Sequence, residues 1–220
     1  MEPLSWTGSI AFLNPLLLIA IAALTISIVV WILASIVLPE AQVTVNPDGT
    51  ITSGGGLRGL IQTALQYSFF ACVGVALAYL VLGIVMGTSA GIVGAISQQF
   101  LPVWVALIIM FAMSIAFKRR LGLYGKLYDS PIGMIGFGLV MFWVFTGIFG
   151  ALDLIVTHDP LTQVSGMKNK VPGTPLPNPE DGQYAWYLLG GDNLARDVFS
   201  RMVSGAWIVV QIAPLATLFA

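Results

Sequence analysis

Two long stretches of this chain carry no charge at all: Pro3 to Pro39, and Gly59 to Phe117. A chain that crosses hydrocarbon must satisfy its own backbone N–H and C=O groups, and a helix does so with about 20 mostly apolar residues per crossing. The first stretch therefore predicts one span, about Leu16 to Leu38. The second is too long for a single span and breaks at "GTSAGIVGAISQQ" (Gly87 to Gln99), which is rich in Gly and Ser and closes on Gln98 and Gln99. It predicts spans near Leu65 to Met86 and Phe100 to Phe117. A fourth span follows over Ile132 to Leu152, and a partial fifth begins after Arg201 and runs to Ala220. The fold class expected is all-α and polytopic, with four full spans and a partial fifth. Composition points the same way: 57% of the residues are hydrophobic and 9% charged, against about 25% charged in soluble domains.

The basic residues orient the spans. Lys118, Arg119, Arg120 and Lys126 place four of the nine Lys and Arg in one short loop, and short basic loops stay in the cytoplasm. Loop 118–131 is therefore expected inside. Loop 153–201 and the N-terminus are expected outside, which in a bacterial inner membrane is the periplasm. No basic n-region precedes the first span, which is also too long for an h-region, so no cleaved signal peptide is expected. The loops differ in kind. "VTVNPDGTIT" (Val43 to Thr52) sets β-branched residues on both sides of Asn-Pro-Asp-Gly and predicts a small hairpin, a plain linker being the alternative. "VPGTPLPNPEDG" (Val171 to Gly182) holds too many prolines for a helix and too many polar residues for a core, so the outer loop is expected to be long and irregular.

Candidates for chemistry are few. The single histidine, His158, stands in "THDP" with no partner at metal-ligand spacing, and reads as a loop or interface residue. Cys72 lies in an apolar run and reads as a packed thiol. No phosphate-cradling Gly-x4-Gly-Lys motif occurs, so any ATP hydrolysis must come from another chain. No ionisable residue is expected deep in the bilayer, which leaves a proton relay without candidates. The net charge of -1 gives no overall pull toward nucleic acid. Neither an enzyme nor a cofactor or metal site is expected. Small residues at helix-packing spacing are Gly83 and Gly87, a Gly-x3-Gly pair, and Gly133 and Gly136 on the fourth span.

One stretch is polar and dense in charge: "GGDNLARDVFSRM", Gly190 to Met202, holding Asp192, Arg196, Asp197 and Arg201. Gly190 and Gly191 allow a tight turn, and Asp192 suits the N-cap of a helix starting at Asn193 or Leu194. The spacing Asp192–Arg196 and Asp197–Arg201 allows two ion pairs on successive turns. The expectation is an amphipathic helix lying at the interface and bending into the fifth span. The stretch also resembles the permease subunits of dipeptide/oligopeptide-class ABC importers, which carry Gly-Thr-Asp, Gly-Arg-Asp and Ser-Arg in sequence. Asp192, then Arg196 and Asp197, then Ser200 and Arg201 match that pattern, and Gly205 matches a later glycine. Gly190 aligns with the pattern's first Gly, Gly191 with its Thr, and Ala195 stands in place of a Gly. Trp207 stands where an Arg is common.

The resemblance covers about 118–220 and implies a two-part organisation: a three-span extension over 1–117, and a permease-like part over 118–220. It implies a pore formed with a second permease, two cytoplasmic ATPase subunits and an outer binding protein delivering peptide. The ATPase-docking loop of such permeases lies downstream of the motif, so the resemblance is to a truncated or partial permease. The alternative function is an accessory, non-transporting subunit of a larger membrane complex, photosynthetic or respiratory for instance. Under either reading the partners are other membrane subunits and lipid, and the N-terminal extension is expected to dock one of them.

Overall fold

In a computed structural model of the chain the structure describes residues 1–38, 43–45, 51–53, 56–120, 122–155, 157–181 and 183–219. The architecture is all-α, with two short β-pairs. The apolar runs fold as α1 (Asn14–Val37), α2 (Leu57–Met86), α3 (Gly91–Gln99), α4 (Leu101–Ala116), the short α5 (Leu123–Lys126), α6 (Pro131–Ala151) and α7 (Val198–Phe219). Stretches of 3-10 helix precede α1 (Gly8–Leu13), join α2 to α3 (Gly87–Ala90) and flank α5 (Lys118–Arg120, Leu127–Asp129). Four segments are long and apolar enough to cross a membrane: Gly8–Val37, Leu57–Gln99, Gly133–Ala151 and Val198–Phe219. A fifth apolar helix, Leu101–Ala116, is shorter. The short member is thus the third predicted span, and α7 is a full 22-residue helix that begins before Arg201 instead of after it. The reason is local: Asp197 caps α7, which draws Val198 to Arg201 into the helix.

The hairpin expectation holds over its strands. β1 (Val43–Val45) and β2 (Ile51–Ser53) pair antiparallel, with Thr44 opposite Thr52. The Asn-Pro-Asp-Gly turn lies outside the described residues. The second pair, β3 (Thr174–Pro175) and β4 (Trp186–Tyr187), lies in the outer loop, which also holds an isolated antiparallel bridge of Gly191 with Asp197.

The chain divides into two compact units, one of Ser9–Leu82 and one of Met1–Gly8 with Gly83–Ala220. In the first, α1 and the greater part of α2 are joined by a hydrogen bond from the Tyr79 hydroxyl to Asn14 Oδ1 at 2.6 Å. In the second, the core joins residues on both sides of the 117/118 boundary expected from sequence. Ala95, Phe100 and Val103 share one buried cluster with Ile155, Leu188, Phe199 and Val203. The reach of a sequence pattern and the reach of a packed core therefore differ here. At the other end of α4 and α6, Tyr124 and Tyr128 pack edge-on with Phe111 and Phe137, and their hydroxyls meet at 3.0 Å.

Glycines join α6 to α7. A Cβ at Gly147 would meet the backbone of Trp207 and Ala206, and one at Gly150 would strike Val203. This is the close backbone approach that small residues give membrane helices. The predicted packing glycines fare unevenly. Gly83 faces Gly94 and Ser97 of α3, and Gly87 turns at φ +55° against Gln98, so this pair docks α3 onto the end of α2. Gly133 meets only Leu127 and Ser130 of its own approach, and Gly136 faces open space. At the N-terminus of α6 Ser130 Oγ accepts the Gly133 N–H at 3.4 Å, while the next residues of α6, Phe137 and Gly138, are the ones that meet Phe111 of α4.

Candidate functional site

The helix expected over Gly190 to Met202 does not form. Residues 190–197 are a folded loop, and α7 starts at Val198. Ala195 is the obstacle, since its φ of +63° is left-handed backbone that no right-handed helix accommodates. The loop is held by the neighbouring turn: Gly191 N–H donates to the Lys170 carbonyl and Asn169 N–H to the Asp192 carbonyl, at 3.0 and 2.9 Å. Gly190, at φ +83°, is pressed onto the Lys170–Pro172 backbone, where a Cβ would collide with a carbonyl oxygen. The two glycines thus serve the turn that was expected of them, but the turn leads into a loop.

Asp192 organises that loop instead of capping α7. Its Oδ1 accepts from the N–H groups of Leu194 and Arg196, at 2.8 and 2.9 Å. Its Oδ2 accepts from both guanidinium groups, Arg196 through Nε at 2.9 Å and Arg201 through a nitrogen at 2.5 Å. The Asp192–Arg196 pair is therefore formed as its spacing allowed. Arg201, by contrast, pairs with Asp192 and not with Asp197. The Arg196 N–H bond draws the Asp192 carboxyl down to about 2; burial opposes this, and the Leu194 N–H and the Arg196 guanidinium reinforce it.

Asp197 belongs to a second, drier cluster. It is fully buried, as is Ser200. Its Oδ1 accepts Phe199 N–H at 3.2 Å and its Oδ2 accepts Ser200 N–H at 3.1 Å, which is an N-cap on α7. The same Oδ2 takes the hydroxyl protons of Ser200 at 2.6 Å and Thr157 at 2.9 Å. Burial alone would raise the Asp197 carboxyl, but the bonds from His158, Ser200 and Thr157 outweigh it and hold it below its ordinary range. Ser200 Oγ in turn accepts the His158 backbone N–H at 3.0 Å. Thr157 and His158, about 40 residues away in sequence, are tied here to one carboxylate and one hydroxyl.

His158 closes the cluster. Its Nε2 faces the Tyr184 carbonyl at 2.8 Å, and a carbonyl only accepts, so Nε2 carries a proton. Its Nδ1 stands 3.1 Å from Thr157 Oγ1 and 3.3 Å from Asp197 Oδ2. Tyr187 stacks edge-on against the ring, with centroids 4.9 Å apart. Burial first, then the charges of Asp197 and Asp192, push the Tyr187 phenol up to about 12. Chemically the arrangement fastens a loop to a helix start. The Ser200 hydroxyl is bonded to a carboxylate and to a main-chain N–H, and the imidazole reaches Thr157, Asp197 and Tyr184.

Comparison with known proteins finds no matching family model, no matching curated protein and no matching solved structure.

The five motif residues fall into these two clusters: Asp192, Arg196 and Arg201 in the outer one, Asp197 and Ser200 in the buried one. Gly205 faces open space. Sequence reading missed Thr157 and His158 as partners of the motif, along with Tyr184 and Tyr187. The signal available was "THDP", a polar run placed directly after a span, but nothing in it points forty residues ahead. The N-terminus also joins this region. Leu4 N–H donates to the Gly173 carbonyl at 2.9 Å, Trp186 Nε1 to the Glu2 carbonyl at 3.2 Å, and Ile92 N–H to the Ser5 carbonyl at 2.9 Å. Residues 1–8, α3 and loop 152–197 so form one cap over the ends of α6 and α7. Among the described residues no group of three His, Cys, Asp or Glu could hold a metal ion.

Proposed function

We propose that the chain is a membrane-embedded subunit of the peptide-importer permease class, and that its cap is the fixed outer rim through which a translocation path is held open or shut. The observation that carries this reading is the spending of the whole Asp192–Arg201 motif on internal bonds. One carboxylate takes two guanidinium groups and another is buried among three side chains. Such a motif keeps a rim rigid at the mouth of two packed helices; a motif meant for a soluble ligand would leave polar groups free. The rim lies in the bacterial periplasm and loop 118–131 in the cytoplasm. The basic residues Lys118 to Lys126 support that orientation. The bonds of Glu2 and Leu4 to the cap fit the expectation that the N-terminus and loop 153–201 share one side.

The test is reconstitution of the native assembly, purified through a tag on this chain, in vesicles supplied with peptide. Copurifying ATPase subunits with peptide-stimulated ATP hydrolysis are the expected result, and Asp197→Ala should abolish the stimulation. Copurification with pigment or quinone proteins and no ATPase would overturn the proposal. It would support the accessory-subunit reading, which the many outward apolar side chains of α1, such as Ile19, Ile26 and Ile36, also accommodate.

A further inference from the structure

The unit of Ser9–Leu82 holds a groove between α1 and α2 with a volume of 540 Å³. It lies away from the end where Tyr79 and Asn14 tie the helices together. Leu24 and Ile28 of α1 and Leu65 and Phe69 of α2 line it, with the carboxamides of Gln62 and Gln66. At 100° per residue, positions 58, 62, 65, 66 and 69 of α2 fall within an arc of about 100° on one face. Arg58, half-buried and one turn before Gln62, therefore stands on the groove's face, and no ion pair is recorded for it among the described residues.

Polarity runs along this face in one direction. A cation comes first, the carboxamides of Gln62 and Gln66 follow with Leu65 between them, and Phe69 closes the face, over roughly 16 Å of helix at 1.5 Å per residue. A partner helix would have to meet that gradient with an acid, then polar groups, then apolar knobs. An anionic phospholipid has this order built in: phosphate, ester carbonyls, acyl chain. Carboxamides facing hydrocarbon with no acceptor or donor are costly, and the ester groups supply acceptors at that depth. We infer that the α1–α2 groove is a binding site for one anionic phospholipid, with its phosphate at Arg58, its ester carbonyls at Gln62 and Gln66, and one acyl chain along Leu24, Ile28, Leu65 and Phe69. The attraction comes from a single local cation, so the chain's net charge of -1 does not oppose it.

The experiment is native mass spectrometry of the full chain released from vesicles of phosphatidylcholine and phosphatidylglycerol in equal parts. One phosphatidylglycerol per chain should be retained about five- to tenfold over phosphatidylcholine, the range set by one cation beside an anionic headgroup. Arg58→Gln should remove the preference while leaving some retention of either lipid. Leu65→Trp, which fills the groove, should remove retention of both, and Lys170→Gln should change nothing. Should Arg58→Gln disturb insertion, Gln62→Leu with Gln66→Leu carries the test through weakened retention. Equal retention of the two lipids by the unaltered chain would overturn the inference. So would a photo-crosslinker at Leu65 that captures a protein chain in native membranes instead of a lipid.

Discussion

Ala195 occupies left-handed backbone at φ +63°, which costs an L-residue roughly 1–2 kcal/mol. Ala195→Gly removes the strain but loosens the unfolded chain, an opposing term of about 0.4–1 kcal/mol. A net gain of about 0.5–1 kcal/mol is expected, read as a rise in midpoint during thermal unfolding in detergent; an unchanged or lower midpoint would place the strain elsewhere. Asp192 and Asp197 make a second residue-scale prediction. Both carboxyls sit below their ordinary value of 3.8 when folded, Asp192 at about 2. A depressed folded value means the stabilisation is fully present above pH about 4 and is lost as pH falls toward 2. The unfolding midpoint should therefore decline between pH 4 and 2. Asp192→Asn should lower it at neutral pH and flatten part of that decline, leaving the part that belongs to Asp197. A variant with the same acid slope as the parent chain would exclude Asp192 as a contributor.

Among the elements, α6 and α7 depend on two glycines that spacing alone did not single out. Gly147 lies against the backbone of Trp207 and Ala206, which cannot step aside, whereas Gly136 of the same helix faces open space. Gly147→Leu should cost about 1–3 kcal/mol through overpacking, and Gly136→Leu should be close to neutral. Comparing proteolysis of the cap in the two variants reads this difference, since separating α6 from α7 exposes loop 152–197. Equal protection would mean that the helices are held together by the cap alone. The C-terminus of α6 shows why that loop leaves the helix where it does. Asp153 takes φ +56°, with its own N–H on the Gly150 carbonyl and Leu154 N–H on the Phe149 carbonyl, the two bonds of a Schellman ending. The outer loop thus begins on a fixed heading, toward the pocket where Thr157 and His158 meet Asp197.

For the molecule as a whole the decisive question is which ends of the helices share a side of the membrane. With Cys72→Ala as background, single cysteines at Ser130 and Ser165 should react with an impermeant reagent from opposite sides, Ser165 from outside intact cells. Both positions are exposed, so access is not limited by packing. Labelling of both from outside would break the alternation of spans on which the proposed orientation rests. The same experiment with a cysteine at Ser5 is more demanding, because Ser5 pairs with Ile92 in the cap, and partial protection is expected there.

Charge and apolar run length were enough to read the helical class, the existence of five apolar helices and the β1–β2 strands, because hydrocarbon and turn chemistry act on short windows of sequence. The Asp192–Arg196 pair was legible for the same reason, being four residues apart. The role of the motif was not. Whether residues 190–197 become helix or loop is decided by the Lys170–Pro172 backbone lying against Gly190 and by the left-handed turn at Ala195, neither of which is a property of the window. Asp197 caps α7 through its own near neighbours Phe199 and Ser200, but it gains Thr157 and His158 only once they arrive from the end of α6, a contact that no periodicity encodes. Local solvation and local caps made the helices, and the meeting of distant polar groups in a dry site decided what the motif is fastened to.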